Sequence, residues 1–379
     1  MKRIKIMMPI VVSAALIASV VVGLFGCAPA PATTAGETTP AVETKAAEVT
    51  TTAPAKKPVI GFVMLTLTHP YHVEQMESGK KAGEAYGVDE IWLSSEVNME
   101  KNLANIEALI QQKVDAIVCD PVDVKGILPA IDKCKEAGIP FITSYGKLEH
   151  EWAYNTPCAD RDNMYGLTQI MAAYLNYDGG VCKLVGLPGQ YCAEQRKQGF
   201  DEAVADIQKE HPNFKVLSEQ PTDWDPVKAE KILEDWIVAY PKIDGIITSS
   251  DGLLYAAVDM VKRAGRENEI NLFGHDGDKK ALELVRDGQF RADVLLGATR
   301  LEWFIVRYVS DILTGKNPPR AVEMPTYFVM TDETAEKCYA NGLSKDYSYI
   351  TPEKAIEWAT QGNLEFGPDK EVTYKEAEF

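Results

Sequence analysis

The chain has 379 residues, enough for two domains of ordinary size, and its 46% hydrophobic and 25% charged content is that of a globular protein with a sizeable core. Its formal charge of −17 comes without any basic stripe, so a phosphate backbone would be repelled and nucleic acid is excluded as a partner. The acidic excess reads as a solvated surface.

Lys2, Arg3 and Lys5 open the chain, and an apolar run follows from Ile6 to Phe25. A basic start and a small-residue finish predict a secretory signal over residues 1–26 rather than a permanent span. The run ends Leu24-Phe25-Gly26-Cys27, which resembles the lipobox of bacterial lipoproteins. That resemblance implies cleavage before Cys27 and a diacylglycerol on its sulfur, so that a lipid anchor holds the protein to the membrane. An uncleaved membrane anchor is the other reading, and both place the rest of the chain outside the cytoplasm. From Ala28 to about Lys57 the sequence is Ala, Thr, Pro and Glu with almost no large apolar residue. Such a segment cannot bury enough surface to offset its ordering entropy, which predicts a disordered tether over 27–57.

Beyond Cys27 stand six cysteines, Cys119, Cys134, Cys158, Cys182, Cys192 and Cys338. An even number in an exported chain permits disulfides. No pair has zinc-ligand spacing, and Cys119 and Cys182 fall in expected strands, so buried free thiols are the favoured reading.

After Pro58 strands and helices alternate. Val59–Leu65 reads as a strand, Tyr71–Tyr86 as a helix, Ile91–Leu93 as a strand and Met99–Gln112 as a helix with Leu103, Ile106 and Ile110 on one face. Ala116–Cys119, a helix over Val124–Ala137 closed by Gly138, and Phe141–Thr143 complete a βαβαβαβ unit. The alternation restarts after Asp160 with Met164–Leu175, Val181–Val185, Ala193–Glu210, Val216–Ser218 and Pro226–Tyr240. It continues through Gly245–Thr248, Leu253–Ala264, Asn271–Phe273, Lys279–Arg286, Ala292–Leu296 and Arg300–Thr314. Two successive α/β units with open parallel sheets are the economical reading, with a ligand crevice at the strand ends.

The loops at those strand ends carry a set of landmarks in order: Thr66-Leu67-Thr68-His69-Pro70-Tyr71-His72, Asp120-Pro121, Gly138-Ile139-Pro140-Phe141-Ile142, Arg196-Lys197-Gln198-Gly199-Phe200, Gln220 to Asp225, and Gly274-His275-Asp276-Gly277. From about Pro58 to about Val329 the chain resembles the ribose-binding protein family, the periplasmic partners of sugar ABC transporters. The resemblance implies two Rossmann-like lobes, residues 58–158 plus 297–326 and residues 159–296 plus 327–379. Three hinge crossovers would join them near Cys158–Ala159, Leu296–Gly297 and Pro325–Tyr327. It also implies a monomer that traps a sugar or polyol by closing about those hinges and presents it to a membrane permease.

A sugar needs planar and charged hydrogen-bonding groups around its hydroxyls and aromatic surfaces against its ring. Asp276 can accept from two neighbouring hydroxyls, or serve only to fix its turn with Gly277. Arg196 brings five donors in a fixed fork. Trp224, in the polar loop Thr222–Asp225, is a stacking surface, and Tyr71 is either a second one or a core residue of its helix. Asp120 follows the third strand. Other positions depart from the ribose pattern: His69 stands for an asparagine, His72 for an aromatic and Ser250 for an asparagine before Asp251, while Tyr145-Gly146 replaces an Asp-Arg pair. Leu296 stands for a glutamine, unless Arg300 takes its place. The expected ligand is therefore a neutral polyhydroxylated molecule other than ribose, bound by His69, Tyr71, His72, Asp120, Tyr145, Arg196, Trp224, Ser250, Asp251 and Asp276.

No phosphate-binding loop, serine elbow or paired-histidine zinc motif is present in the sequence, so no catalytic residue, cofactor or metal is expected. A repressor of the same fold is excluded by the leader and the missing DNA-binding headpiece. A binding component of a membrane sensor or chemoreceptor is the alternative to transport.

Overall fold

A computed structural model describes residues 56–377; the leader, Cys27 and the tether as far as residue 55 lie outside the described residues. The chain opens with β1 (Val59–Met64), α1 (Pro70–Tyr86), β2 (Asp89–Ser94), α2 (Met99–Gln112), β3 (Ala116–Cys119), α3 (Leu128–Ala137), β4 (Phe141–Thr143) and β5 (Ala153–Tyr154). These strands form a parallel sheet in the order β2-β1-β3-β4-β5. β1 and β3 are continuous apolar runs because helices cover both faces of the sheet. Helix α3 begins four residues later than the sequence suggests. Asp123 Oδ1 accepts from the Lys125 and Gly126 N–H groups, and this turn occupies the segment instead.

The second unit runs α4 (Asp160–Tyr174), β6 (Gly179–Val185), α5 (Tyr191–Glu210), β7 (Phe214–Pro221), α6 (Pro226–Ala239) and β8 (Gly245–Thr248). A short 3-10 turn at Asp251–Leu253 leads to α7 (Tyr255–Arg263), β9 (Asn271–Phe273), α8 (Lys279–Arg286) and β10 (Phe290–Leu295). Then come α9 (Ala298–Leu313), β11 (Val322–Glu323), β12 (Tyr327–Met330), α10 (Asp332–Ala340), β13 (Tyr349–Ile350), α11 (Pro352–Thr360), α12 (Asn363–Phe366) and β14 (Lys375–Glu376). The second sheet has the order β13-β12-β10-β9-β8-β6-β7. It is parallel except at β10–β12, which pair antiparallel, so the expectation of a wholly parallel sheet is corrected there. The cause is the path of the chain. After β10 it leaves the sheet for α9, which packs along α1, with Ser78 and Thr299 hydroxyls 2.8 Å apart, and re-enters through residues 325–327 at the same end, where Tyr327 pairs with Leu295.

Arg300 holds two of the passages between sheets together. Its guanidinium is fully buried and donates to the Leu296 carbonyl (2.8 Å), the Pro325 carbonyl (3.1 Å) and both oxygens of Glu365. The guanidinium is thereby committed to the hinge rather than to the cleft. Glu365 belongs to a tail that turns back toward the first sheet. Phe366 packs on Phe304, Tyr374 packs on Tyr308, and β14 pairs with β11, which adjoins Asn155 at the end of β5. The whole of 327–379 was expected on the second lobe; residues 363–377 lie instead against α9 and β11, because α9 offers its outer aromatic face to them.

The six cysteines of the described region are free and buried, which is the thiol alternative. Among the described residues no helix is long and apolar enough to cross a membrane, and no cluster of ligating side chains could hold a metal ion.

Candidate functional site

The loops leaving the C-terminal ends of both sheets face each other across a cleft whose empty space, including the part open to solvent, is about 460 Å³. From the first sheet come His69, Tyr71 and His72 at the start of α1, Asp120 after β3 and Tyr145 after β4. From the second come Arg196 on α5, Trp224 after β7, Ser250 after β8 and Asp276 after β9.

Arg196 is 2% exposed and holds the far wall together. Its Nε donates to Asp160 Oδ1 at 2.7 Å, and its Nη1 donates to the Ser249 carbonyl at 2.6 Å and to Asp276 Oδ1 at 2.8 Å. A planar fork with three acceptors in place is fixed before any ligand arrives. Ser250 Oγ donates to Asp276 Oδ2 at 2.6 Å, so Ser250 orients the aspartate and offers a ligand only lone pairs. Burial alone would raise the Asp276 pKa, but the Arg196 charge, with His275 and Ser250, holds it below the usual carboxylate value. Each carboxylate oxygen keeps a free lone pair for a hydroxyl. Behind it, His275 is wholly buried, and burial followed by the Arg196 charge pushes its pKa down to about 4, so it stays neutral.

The backbone of Asp276 is strained, with φ of 134°. What holds it there is the hinge: the N–H groups of Leu296 and Gly297 both donate to its carbonyl, at 3.1 and 2.8 Å. Position 276 thus meets the cavity with its side chain and the second crossover with its main chain.

Asp251 is not brought to the cavity. Its carboxylate turns inward, fully buried, and its Oδ2 accepts from the Asp278 N–H at 3.0 Å. It supports the loop of Asp276 rather than facing a ligand, and the expectation for it is corrected.

Trp224 lies at the cavity with its indole against Gly186, where an added Cβ would sit 2.1 Å from the ring. Only glycine permits that approach. The Trp224 Nε1–H donates to Gln190 Oε1, which leaves the ring as a fixed apolar plate. On the first sheet's side, Tyr71 and Tyr145 stand with ring centroids 5.6 Å apart. Both are nearly covered, and burial raises both phenol pKa values well above normal, so both remain neutral hydroxyls.

Asp120 and His72 occupy the rim between the sheets. Asp120 is 3% exposed, and burial pushes its pKa up to about 7 against the opposing pull of Gln190 and Arg196. His72 is pushed down to about 4, first by burial and then by His69. Their 3.9 Å approach is therefore no ion pair at mildly acidic pH. Asp120 Oδ1 accepts from Gln190 Nε2 at 3.0 Å, a direct bond from one sheet's loops to the other's. A second meeting point is His69 against Gly252, where an added Cβ would lie 2.8 Å from Nε2.

The cavity also takes Leu65, Thr66, Gln190 and Cys192, which the sequence reading missed. Gln190 had a signal: it follows Leu187-Pro188-Gly189 as the cap of the helix that carries Arg196, so its side chain must share that helix's mouth.

Two α/β lobes around a polar, aromatic-lined cavity, crossed more than once by the chain, define a two-lobed binding protein that encloses its ligand. The chain matches the sequence profile of the periplasmic binding protein domain over residues 60–317. It belongs to that family, and is a solute-binding protein rather than an enzyme. It is 26% identical to the ribose import binding protein of Bacillus subtilis over 278 residues, covering 71% of this chain and 86% of that one. It is 28% identical to the xylitol-binding protein of Mycolicibacterium smegmatis over 227 residues, covering 58% and 64%. The fold matches an ABC transporter periplasmic solute-binding protein of Actinobacillus succinogenes with bound D-allose, with a TM-score of 0.68 at 24% identity over 74% of this chain and all of that one.

Proposed function

We propose that this protein binds one neutral sugar or polyol other than ribose between its lobes and delivers it to the permease of an ABC importer. The observation that carries the ligand class is the Arg196–Asp276–Ser250 array, a buried and preset donor–acceptor wall facing an aromatic plate at Trp224. Hydroxyl pairs satisfy such a wall and a sugar's C–H face satisfies the plate. The names of relatives support the same class, since ribose, xylitol and D-allose are all polyhydroxylated and uncharged.

Residues 58–158 plus 297–326 act as one lobe and residues 159–296 plus 327–362 as the other, with the tail joined to the first. Closure swings them about the three crossovers, and the monomer is anchored through lipid on Cys27. Ribose is disfavoured because Tyr145 and Gly146 supply no acid–base pair and because His69 and His72 change the hydrogen-bonding pattern at the start of α1. The test is calorimetry on the purified protein against ribose, other pentoses, hexoses, linear polyols and inositol. A single-site isotherm with one of these other than ribose is expected. Tight ribose binding would overturn the specificity, and binding of amino acids or nucleosides alone would overturn the ligand class.

A further inference from the structure

The turn that leads into α5 faces the turn that follows β3 across the mouth of the cleft. Asp120, Pro121 and Val124 on one side and Gln190, Tyr191 and Cys192 on the other line a small void between them. The approach is close: a Cβ added at Gly189 would stand 3.4 Å from Asp123 Oδ2, and Gly189 holds a φ of 88°, which glycine adopts without strain. Its N–H donates to Glu194 Oε1 at 2.8 Å, so the turn is tied to its own helix.

Gln190 occupies the N-cap position of α5, yet its side chain makes no capping hydrogen bond. Its amide is used elsewhere. The Trp224 indole N–H can only donate, and it donates to Gln190 Oε1, as the Cys192 thiol does at 3.5 Å. Two donors on one oxygen fix which end of the amide is which. The NH2 end therefore points across the cleft, where Nε2 donates to Asp120 Oδ1 at 3.0 Å. Gln190 is 4% exposed and Asp120 3%, so both groups of the bond are shielded from water. Parting the lobes must break that bond and hydrate both ends. The bond joins protein to protein, and no ligand atom takes part in it.

We infer that Gln190 is a latch: anchored on its own lobe by Trp224, it holds Asp120 of the other lobe and so populates part of the closed form before any ligand binds. A protein whose binding-competent form is only fractionally populated loses affinity by that fraction, so the latch raises affinity for whatever the cleft encloses. It also couples two events, because the amide that spans the lobes is the one that fixes the Trp224 plate. The inference rests on the reading that the lobes close, but not on the identity of the ligand. Gln190 acts here as a positioning residue.

The test is the distance between the lobes of the purified protein without ligand. Spin labels carried on unnatural residues at Lys125 and Val227, both exposed and on opposite sides of the mouth, report it by pulsed electron resonance. In Gln190→Met, which keeps the length and removes both polar ends, the distances should shift longer while circular dichroism reports an intact fold. Asp120→Ala, which removes the acceptor, should give the same shift, and Asp120→Asn, which keeps an acceptor, should retain the short distances. The double variant Gln190→Met/Asp120→Ala should shift no further than either single one. Unchanged ligand-free distances in Gln190→Met would overturn the latch, as would a double variant whose shift is the sum of the two. In calorimetry with D-allose, Gln190→Met should bind roughly five- to tenfold more weakly, and saturation should return it to the short distance. A Gln190→Met protein that binds D-allose and stays at the long distance would sink the closure reading itself. D-allose that binds neither protein would count against the sugar reading alone, since the ligand-free distances decide the latch.

Discussion

Replacing Asp120 by Asn should make the protein more stable at neutral pH and progressively less so, relative to the wild type, in acid. Burial raises the Asp120 carboxyl to about 7 in the folded chain, against an ordinary value near 3.8. Below about pH 4 the carboxyl is protonated in both states and adds no pH dependence. Between about 4 and 7 the unfolded chain ionises while the folded one keeps its proton, so stability from this group is lost as pH rises through that window. Three pKa units at about 1.4 kcal/mol each give a loss of about 4 kcal/mol by pH 8. Asn is the same size, cannot ionise, and can still accept from Gln190 Nε2. Urea unfolding of the ligand-free protein and of Asp120→Asn at intervals from pH 4 to 8 should show a stability difference that widens toward neutrality by up to that amount. Asp278, also raised to about 7, is present in both proteins and cancels in the difference. A difference that stays constant across the range would refute the reasoning, because it would mean that Asp120 ionises as readily inside the protein as outside.

Arg196→Met should destabilise the fold by about 3–5 kcal/mol in urea, since Asp160 and Asp276 lose the charge that pairs both of them in a buried setting. Trp224→Ala should weaken the ligand found by calorimetry by about 1–3 kcal/mol with little change in unfolding midpoint, whereas a large loss of stability would assign the ring to the core. Cys27→Ser should release the protein from the membrane fraction or block its maturation, and unchanged retention on fractionation would point to an uncleaved apolar anchor. Saturating ligand should lower the radius of gyration in solution scattering, and an unchanged value would count against lobe closure.

The α/β alternation was legible because buried strands such as β3 are short continuous apolar runs, helices such as α2 carry a plain period, and the landmark loops fall at strand ends. Arg196, Ser250, Asp276 and Trp224 could be placed for the same reason: a strand end or helix start fixes where a side chain goes. Asp251 was misplaced by one residue's geometry. Ser250 is extended, with φ −161° and ψ 140°, so adjacent side chains point to opposite sides and only Ser250 reaches the cavity. The tail was illegible for a simpler reason: β11 and β14 have two residues each and α12 four, too short for any period to register.

The pairing of β14 with β11 also determines how the protein can be held. The described chain enters the fold at β1 and leaves it at β14, and both lie on the side of the first sheet. Whatever is attached at either end therefore pulls on one lobe only. On the closure proposed above, the lobe that carries Arg196, Trp224 and Asp276 would bear no load from such an attachment and would pivot as a free jaw. A fusion or surface linkage made at the chain termini would then leave closure unhindered, whereas a second linkage on α6 or α7 would restrain the jaw and reduce apparent affinity.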